Sequence, residues 1–447
     1  MFCLIALIAA AFLSRSSHAA NPPATRPVSF SQEIAPILFK QCQTCHGPSK
    51  SKGNFRLDSF DRLLKPGDSK ASPIVSGKPD QSELYRLLVT DEEDDRMPKK
   101  GDPLSAEQIA QIKWWIEQGA KFDGGDRKAQ LSILALDQRL PDPPEVYRQT
   151  VPITALAFSP NGSELAVNGY HEITLWHPED GKLVGRIKKI AENTYALAYT
   201  PDGKWLAAAC GTPGALGEIR ICDPMNRSAG KVLERIPDIM LAARISADGK
   251  HLAAGGADNA IRVYDIATGK RELLIEQHAD WVTDLAYNPD GSQLASASRD
   301  KSARVFDTKT GAMHAAFLGH EEPLFGVAWS DDAKLIFSAG RDRKVRVWTP
   351  TEAKPVDPIG GFDGEPFKLE TDAGMLFVSG ADGMVRQFSQ DGRSLVRAYP
   401  GMSDWVFCIA VDRKNHRLAA GSYRGEVRIW DIASGKLLTT FVAAPGR

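Results

Sequence analysis

A turn motif that returns about every 42 residues constrains this 447-residue chain more than any other feature. Phe158-Ser-Pro-Asn-Gly162 recurs as Tyr199-Thr-Pro-Asp-Gly203, Ile245-Ser-Ala-Asp-Gly249, Tyr287-Asn-Pro-Asp-Gly291 and Trp329-Ser-Asp-Asp-Ala333. Thr371-Asp-Ala-Gly374 and Val411-Asp-Arg-Lys414 are degenerate sixth and seventh copies. An alternating strand precedes each turn, a small-residue strand such as Leu294-Ala-Ser-Ala-Ser298 follows, and a third such as Lys344-Val-Arg-Val-Trp348 comes next. Such a unit cannot bury its faces alone, so the copies must stack. The pattern predicts an all-β propeller of seven blades over residues 151–442. Each repeat, including the last with Leu437 to Val442, carries its own outer strand, which allows the ring to close without a borrowed one. Leu131 to Leu136 and Val146 to Thr150 remain candidates for addition to an edge.

The third strands end in Trp430-Asp431 and in the variants Trp176-His177, Cys222-Asp223, Tyr264-Asp265, Phe306-Asp307, Trp348-Thr349 and Phe388-Ser389. His320, Ser338, Asp342 and Trp348 in the fifth repeat stand at the same spacing as His278, Ser296, Asp300 and Phe306 in the fourth. On these residues the region resembles the WD-repeat proteins. The resemblance implies a structural hydrogen-bond network for those side chains. A Ser, a His and an Asp also make a hydrolase triad, but the same set recurs in adjacent repeats without a nucleophile elbow or oxyanion loop, which points to architecture. No metal cluster, phosphate loop or paired-carboxylate motif stands out in the propeller region, whose rigid faces and central channel suit protein partners.

Ahead of the repeats the pattern is helical. Asp123-Gly-Gly-Asp126 and the Pro-rich Leu140 to Glu145 mark a linker over 124–150, read as a semi-rigid spacer. Residues 30–123 read as a small all-α domain. Ser31 is placed to cap a helix through Glu33 to Phe39, Ser105 caps an amphipathic helix carrying Ile109, Ile112, Trp115 and Ile116, and Gly119 ends it. Trp114 and Trp115 read as packing residues. Between these helices lies Cys42-Gln-Thr-Cys45-His46, a C-x-x-C-H sequence of the kind that attaches a c-type haem. Its thiols add to the haem vinyl groups as thioethers, and His46 binds iron from the proximal side. A thiol redox pair and half of a zinc site are the alternatives, yet no further Cys pair lies within the first 150 residues outside the leader. Within residues 21–150 Met97 is the sole Met and His46 the sole His, so a His/Met ligand pair is available and a bis-His pair is not. That pairing suits electron transfer, because it leaves no open iron position.

The block from Phe30 to Gly119 resembles the planctomycete-type cytochrome c domain. The match rests on the C-x-x-C-H-G opening, Lys52-Gly-Asn-Phe-Arg-Leu-Asp58, Gly77-Lys-Pro79, Arg96-Met97-Pro98 and Trp115-Ile-Glu-Gln-Gly-Ala120. It implies one covalent haem c on Cys42 and Cys45 with His46 and Met97 as axial ligands. Lys99 departs from a second proline common in the family, which loosens the ligand loop without removing the ligand. Asp91 to Asp95 form an acidic run beside Met97, read as a solvated loop, with steering of a basic redox partner as the alternative.

The apolar run Phe2 to Leu13, followed by Ser17-His-Ala19, predicts a signal peptide over residues 1–20 and a periplasmic or extracellular protein. A retained leader would tether it to a membrane. Cys3 leaves with the leader, and Cys210, Cys222 and Cys408 read as buried core residues, Cys210 falling opposite about Ile219. A net charge of -1 gives no reason to expect nucleic acid. The expectation is an exported electron carrier with an unknown redox partner and proteins docking on its propeller. A redox enzyme with a substrate or second-cofactor site in the propeller, and a haem-containing extracellular scaffold or sensor, are the alternatives.

Overall fold

The computed structural model describes residues 26–48, 50–99, 102–123, 127–128, 130–131, 134, 140–389 and 391–446. The chain divides into two compact units between residues 139 and 140. The expected signal peptide lies outside the described residues. Among those described, no helix is long and apolar enough to cross a membrane.

The first unit holds helices α1 (Ala35–Gln41), α2 (Gln43–His46), α3 (Phe60–Leu63), α4 (Glu83–Val89) and α5 (Ala106–Glu117). A π-helical turn, Phe30–Ile34, leads into α1, and its cap is Ser29 rather than the expected Ser31. Ser29 Oγ accepts the Gln32 N–H at 3.0 Å, whereas Ser31 is buried and donates its own N–H to Asp123 Oδ1 at 2.9 Å. Pro36 sits in the first turn of α1, where its missing N–H leaves no gap. Ser105 and Gln108 form a reciprocal capping box on α5, and Gly119 follows it at φ 98°, a left-handed conformation that suits glycine. The core gathers Phe30, Ile34, Leu38, Phe60, Ile112 and Trp115. Phe30 lies 4.8 Å from the Phe60 ring and 5.3 Å from Trp115. Trp114 packs half-buried at the edge of this core.

The stretch expected as a linker is shared between the units. Leu131 donates its N–H to Asp58 O at 2.6 Å, and Leu131 and Leu134 bury in the helical core. Further on, Arg186 engages the Pro144 carbonyl and the Glu145 carboxylate, and the Tyr147 hydroxyl donates to the fully buried Glu172 at 2.6 Å.

The second unit is seven antiparallel sheets, each of four strands consecutive in sequence. The first strands, Leu156–Phe158, Asn193–Tyr199, Met240–Ile245, Val282–Tyr287, Leu324–Trp329, Pro366–Asp372 and Val406–Asp412, lie side by side around the axis, with the last against the first. No sheet borrows a strand: among the described residues, neither 131–136 nor 146–150 joins one. Ile153 N–H to Ser422 O and Tyr147 N–H to Pro445 O, both 3.0 Å, fasten the ends instead. Second strands such as Leu206–Thr212 and Ile336–Gly340 are buried almost throughout, because sheets pack on both of their faces. That crowding explains their Ala, Ser and Gly content. Cys210, Cys222 and Cys408 are buried free thiols, with Cys210 opposite Glu218, one residue from the expected position, and Cys222 opposite Leu206.

The recurrent turn works the same way in its first five copies. Ser159 Oγ accepts the Glu164 N–H at 3.0 Å while Gly162 takes φ 72°; Thr200 with Gly203 and Ser246 with Gly249 repeat the arrangement. The Ser-His-Asp sets also prove structural in geometry. His278 bonds Ser296 Oγ at 2.7 Å and Asp300 Oδ2 at 2.8 Å, and His320 bonds Ser338 Oγ at 2.8 Å and Asp342 Oδ2 at 3.1 Å, with the side chains of all four partners buried. Burial pushes the Asp300 carboxyl up, but hydrogen bonds from His278, Ser302 and the Ala279 N–H outweigh it and hold the group below the usual carboxylate range. A depressed folded value means stability that is present above the ordinary Asp pKa of about 3.9 and lost as pH falls through the folded value. Asp300→Asn should therefore lower the guanidinium midpoint at pH 7, with the gap to wild type narrowing as pH drops below about 4. A gap constant down to pH 2 would remove Asp300 from the acid sensitivity of the propeller.

Candidate functional site

Helices α1 and α2 bring Cys42 and His46 to the edge of a cavity in the helical unit, with about 1000 Å³ of open space, mouth included. Met97 reaches the same cavity from the loop after α4, its N–H bonded to Leu87 O at 2.8 Å. The walls are largely apolar, built from Leu38, Leu57, Leu84, Leu88 and Ile112. Lys52, Ser69 and Glu83 add the polar lining. His46 Nδ1 lies 3.3 Å from Phe55 O. A carbonyl only accepts, so Nδ1 carries the proton and Nε2 keeps its lone pair for a metal. The Leu57 N–H to His46 O bond of 2.9 Å holds the same turn from the backbone side.

Residues 42–101 match the family model of planctomycete cytochrome C, and 238–265, 269–307, 312–349 and 393–431 match that of the WD domain, G-beta repeat. The chain is a planctomycete-type cytochrome c domain followed by a seven-bladed WD-repeat propeller. The first match spans Cys42, Cys45, His46 and Met97. The small ribosomal subunit protein RACK1 of Candida albicans is similar at 36% identity over 123 residues, which is 26% of this chain and 38% of that protein. This chain thus spans well under half of that relative's length.

In the cytochrome c domain Cys45 stands one turn beyond Cys42, half-buried, its N–H bonded to Cys42 O at 3.2 Å. Burial, and then the neighbouring Cys45, push the Cys42 thiol up to about 12. A thiol redox pair needs the opposite, a thiol lowered toward neutrality. Among the described residues no group of three or more His, Cys, Asp and Glu side chains is placed to hold a metal ion, so the zinc alternative gains no support. An apolar chamber lined by Cys42, the His46 imidazole and the Met97 thioether, with Cys45 one turn on and outside the lining, fits a haem in its donor chemistry.

Sequence reasoning missed part of this lining. Phe55 O was not foreseen as the partner that sets the His46 tautomer. Gly67 allows two lining loops to meet, since a Cβ there would stand 2.4 Å from Gly53 O. Asn54 Nδ2 to Asp68 Oδ1 at 2.6 Å clasps those loops. Lys65-Pro-Gly-Asp68 was legible as a turn, but a turn signal does not say what it packs on. Trp114 and Trp115 belong to the core and its edge, while Ile112 from the same helix lines the cavity. Asp91 to Asp95 are all exposed, ahead of the half-buried Met97.

Proposed function

We propose that this protein is an exported c-type cytochrome that carries single electrons, with the propeller as the surface on which protein partners dock. The reading is carried by one observation, the gathering of Cys42 and His46 from one segment and Met97 from another into one apolar cavity. Cys42 and Cys45 would hold the haem by thioethers, and His46 and Met97 would be its axial ligands. A bound haem supplies a one-electron iron couple. The chain's own contribution is positional. Phe55 O keeps the His46 proton on Nδ1, the Leu87 carbonyl anchors the backbone that carries the Met97 sulfur, and Leu57, Leu84 and Ile112 exclude water. With His and Met committed as ligands, the site is suited to electron transfer rather than substrate turnover. WD-repeat architecture supports the docking role of the second unit.

The test is the absorption spectrum of protein exported with the haem-attachment machinery, oxidised and reduced, beside Met97→Ala. The oxidised wild type is expected to show a weak far-red sulfur-to-iron band that the variant lacks, and only the reduced variant should bind carbon monoxide. A high-spin spectrum indifferent to Met97→Ala would overturn His/Met ligation and bring the enzyme or sensor readings forward. One iron per chain is expected; two would favour a second cofactor in the propeller.

A further inference from the structure

Charges meet across the central channel of the propeller. Arg244 on Met240–Ile245, Asp284 on Val282–Tyr287, and Lys368 and Glu370 on Pro366–Asp372 form one network. Arg244 Nη1 lies 2.7 Å from Glu370 Oε1, Lys368 Nζ lies 2.6 Å from Asp284 Oδ1, and Arg244 Nη2 lies 3.7 Å from Asp284 Oδ1. Arg244 and Glu370 line two cavities, one built from the beginnings of the first strands and one from their ends. The network is therefore a floor between two chambers.

The chamber at the strand beginnings is a cup with about 990 Å³ of open space, mouth included, and aromatic walls. Phe367 lies 5.4 Å from Phe325 and 5.2 Å from Phe407, and Tyr195 adds a further face. Beside Phe407 stand Trp405 and Tyr423, each 50% exposed, with ring centroids 6.1 Å and 6.0 Å away. Exposed aromatic rings over an apolar cup expect a flat partner.

The floor is neutral in sum, yet its members are not equally reachable. Asp284 is 2% exposed and accepts both Lys368 Nζ and the Val327 N–H. The side chains of Arg244, Lys368 and Glu370 each keep about a fifth of their exposure, so two cations and one carboxylate face the cup. Arg244 is satisfied by Glu370 and by Leu285 O at 2.9 Å. Lys368 Nζ, which has three donors, makes a single hydrogen bond among the described residues. Burial first, and then the like charge of Arg244, hold the Lys368 ammonium below the usual lysine range. A second anion in the cup would offset both.

We propose that this cup binds an aromatic carboxylate, its ring against Phe367 and Phe407 and its carboxylate on Lys368 Nζ. The group would come from a free small acid or from the C-terminus of a protein ending in an aromatic residue. The site stands on the propeller alone, so its failure and that of the redox reading are separable.

The experiment is calorimetric titration of the full chain with 3-phenylpropanoate, its amide and 3-phenylpropylamine. The carboxylate should bind about tenfold more tightly than either analogue, as a charge-assisted hydrogen bond predicts. Lys368→Met should erase that preference. Since it also removes the ammonium nearest Asp284, Phe407→Leu serves as a second variant that leaves the floor intact and should weaken the carboxylate several-fold. A peptide ending in Phe, compared with its amidated form, separates the sources: tighter binding than the free acid marks a protein terminus, weaker binding a small acid. Equal binding of the three probes, preference for the amine, or no binding at millimolar concentration would overturn the proposal.

Discussion

Replacing Cys42 and Cys45 together with alanine should abolish covalently held haem, taking the haem signal that survives a denaturing gel from full intensity to background. Each thioether bond uses one of these two sulfurs, and the described chain offers no substitute: Cys210, Cys222 and Cys408 are buried in the propeller. Burial pushes the Cys222 and Cys408 thiols up to about 12 and raises the Cys210 thiol as well, which leaves them protonated and inert. The propeller should be untouched by the change, and its thermal transition should not move. Haem retained through denaturation by the double variant would sink the attachment reading. Single variants are expected to keep one thioether link and an intermediate signal.

The second large effect is on folding. Trp115→Ala should destabilise the cytochrome c domain by roughly 3–5 kcal/mol, the range for emptying a buried large aromatic site. Trp115 is 1% exposed, donates its indole N–H to Lys121 O at 2.9 Å, and packs on Phe30 and, at 6.3 Å, on Phe60. Its removal leaves a cavity at the centre and the Lys121 carbonyl without its donor. Against a typical total of about 5–15 kcal/mol, that loss would leave a small domain barely folded. Urea unfolding followed by haem absorbance isolates this unit from the propeller. A shift below about 1 kcal/mol would mean that the core closes over the gap, against the packing described here.

The sequence announced its local chemistry and its repetition. The Asp-Gly turns, the alternating strands and the Ser105 capping box are short-range features, and each depends on residues within a few positions of one another. Cys42, Cys45 and His46 were legible for the same reason, and Met97 because residues 21–150 hold no other Met. Ser29 displaced Ser31 as the first cap because a distant residue, Asp123, claims the Ser31 backbone. The same limit hid the partner of His46, which is the carbonyl of Phe55 rather than a side chain that composition can reveal.

The sequence by itself thus determined a helical domain with a C-x-x-C-H turn and seven strand-rich repeats, since periodicity and spacing are properties of neighbours. Only the tertiary structure decided how the ring closes, which side chains wall the cavity near His46 and Met97, and that Arg244, Asp284, Lys368 and Glu370 share one floor. Those residues lie up to 126 positions apart. No local pattern encodes their meeting, because it exists only once the first strands have come together around a common axis.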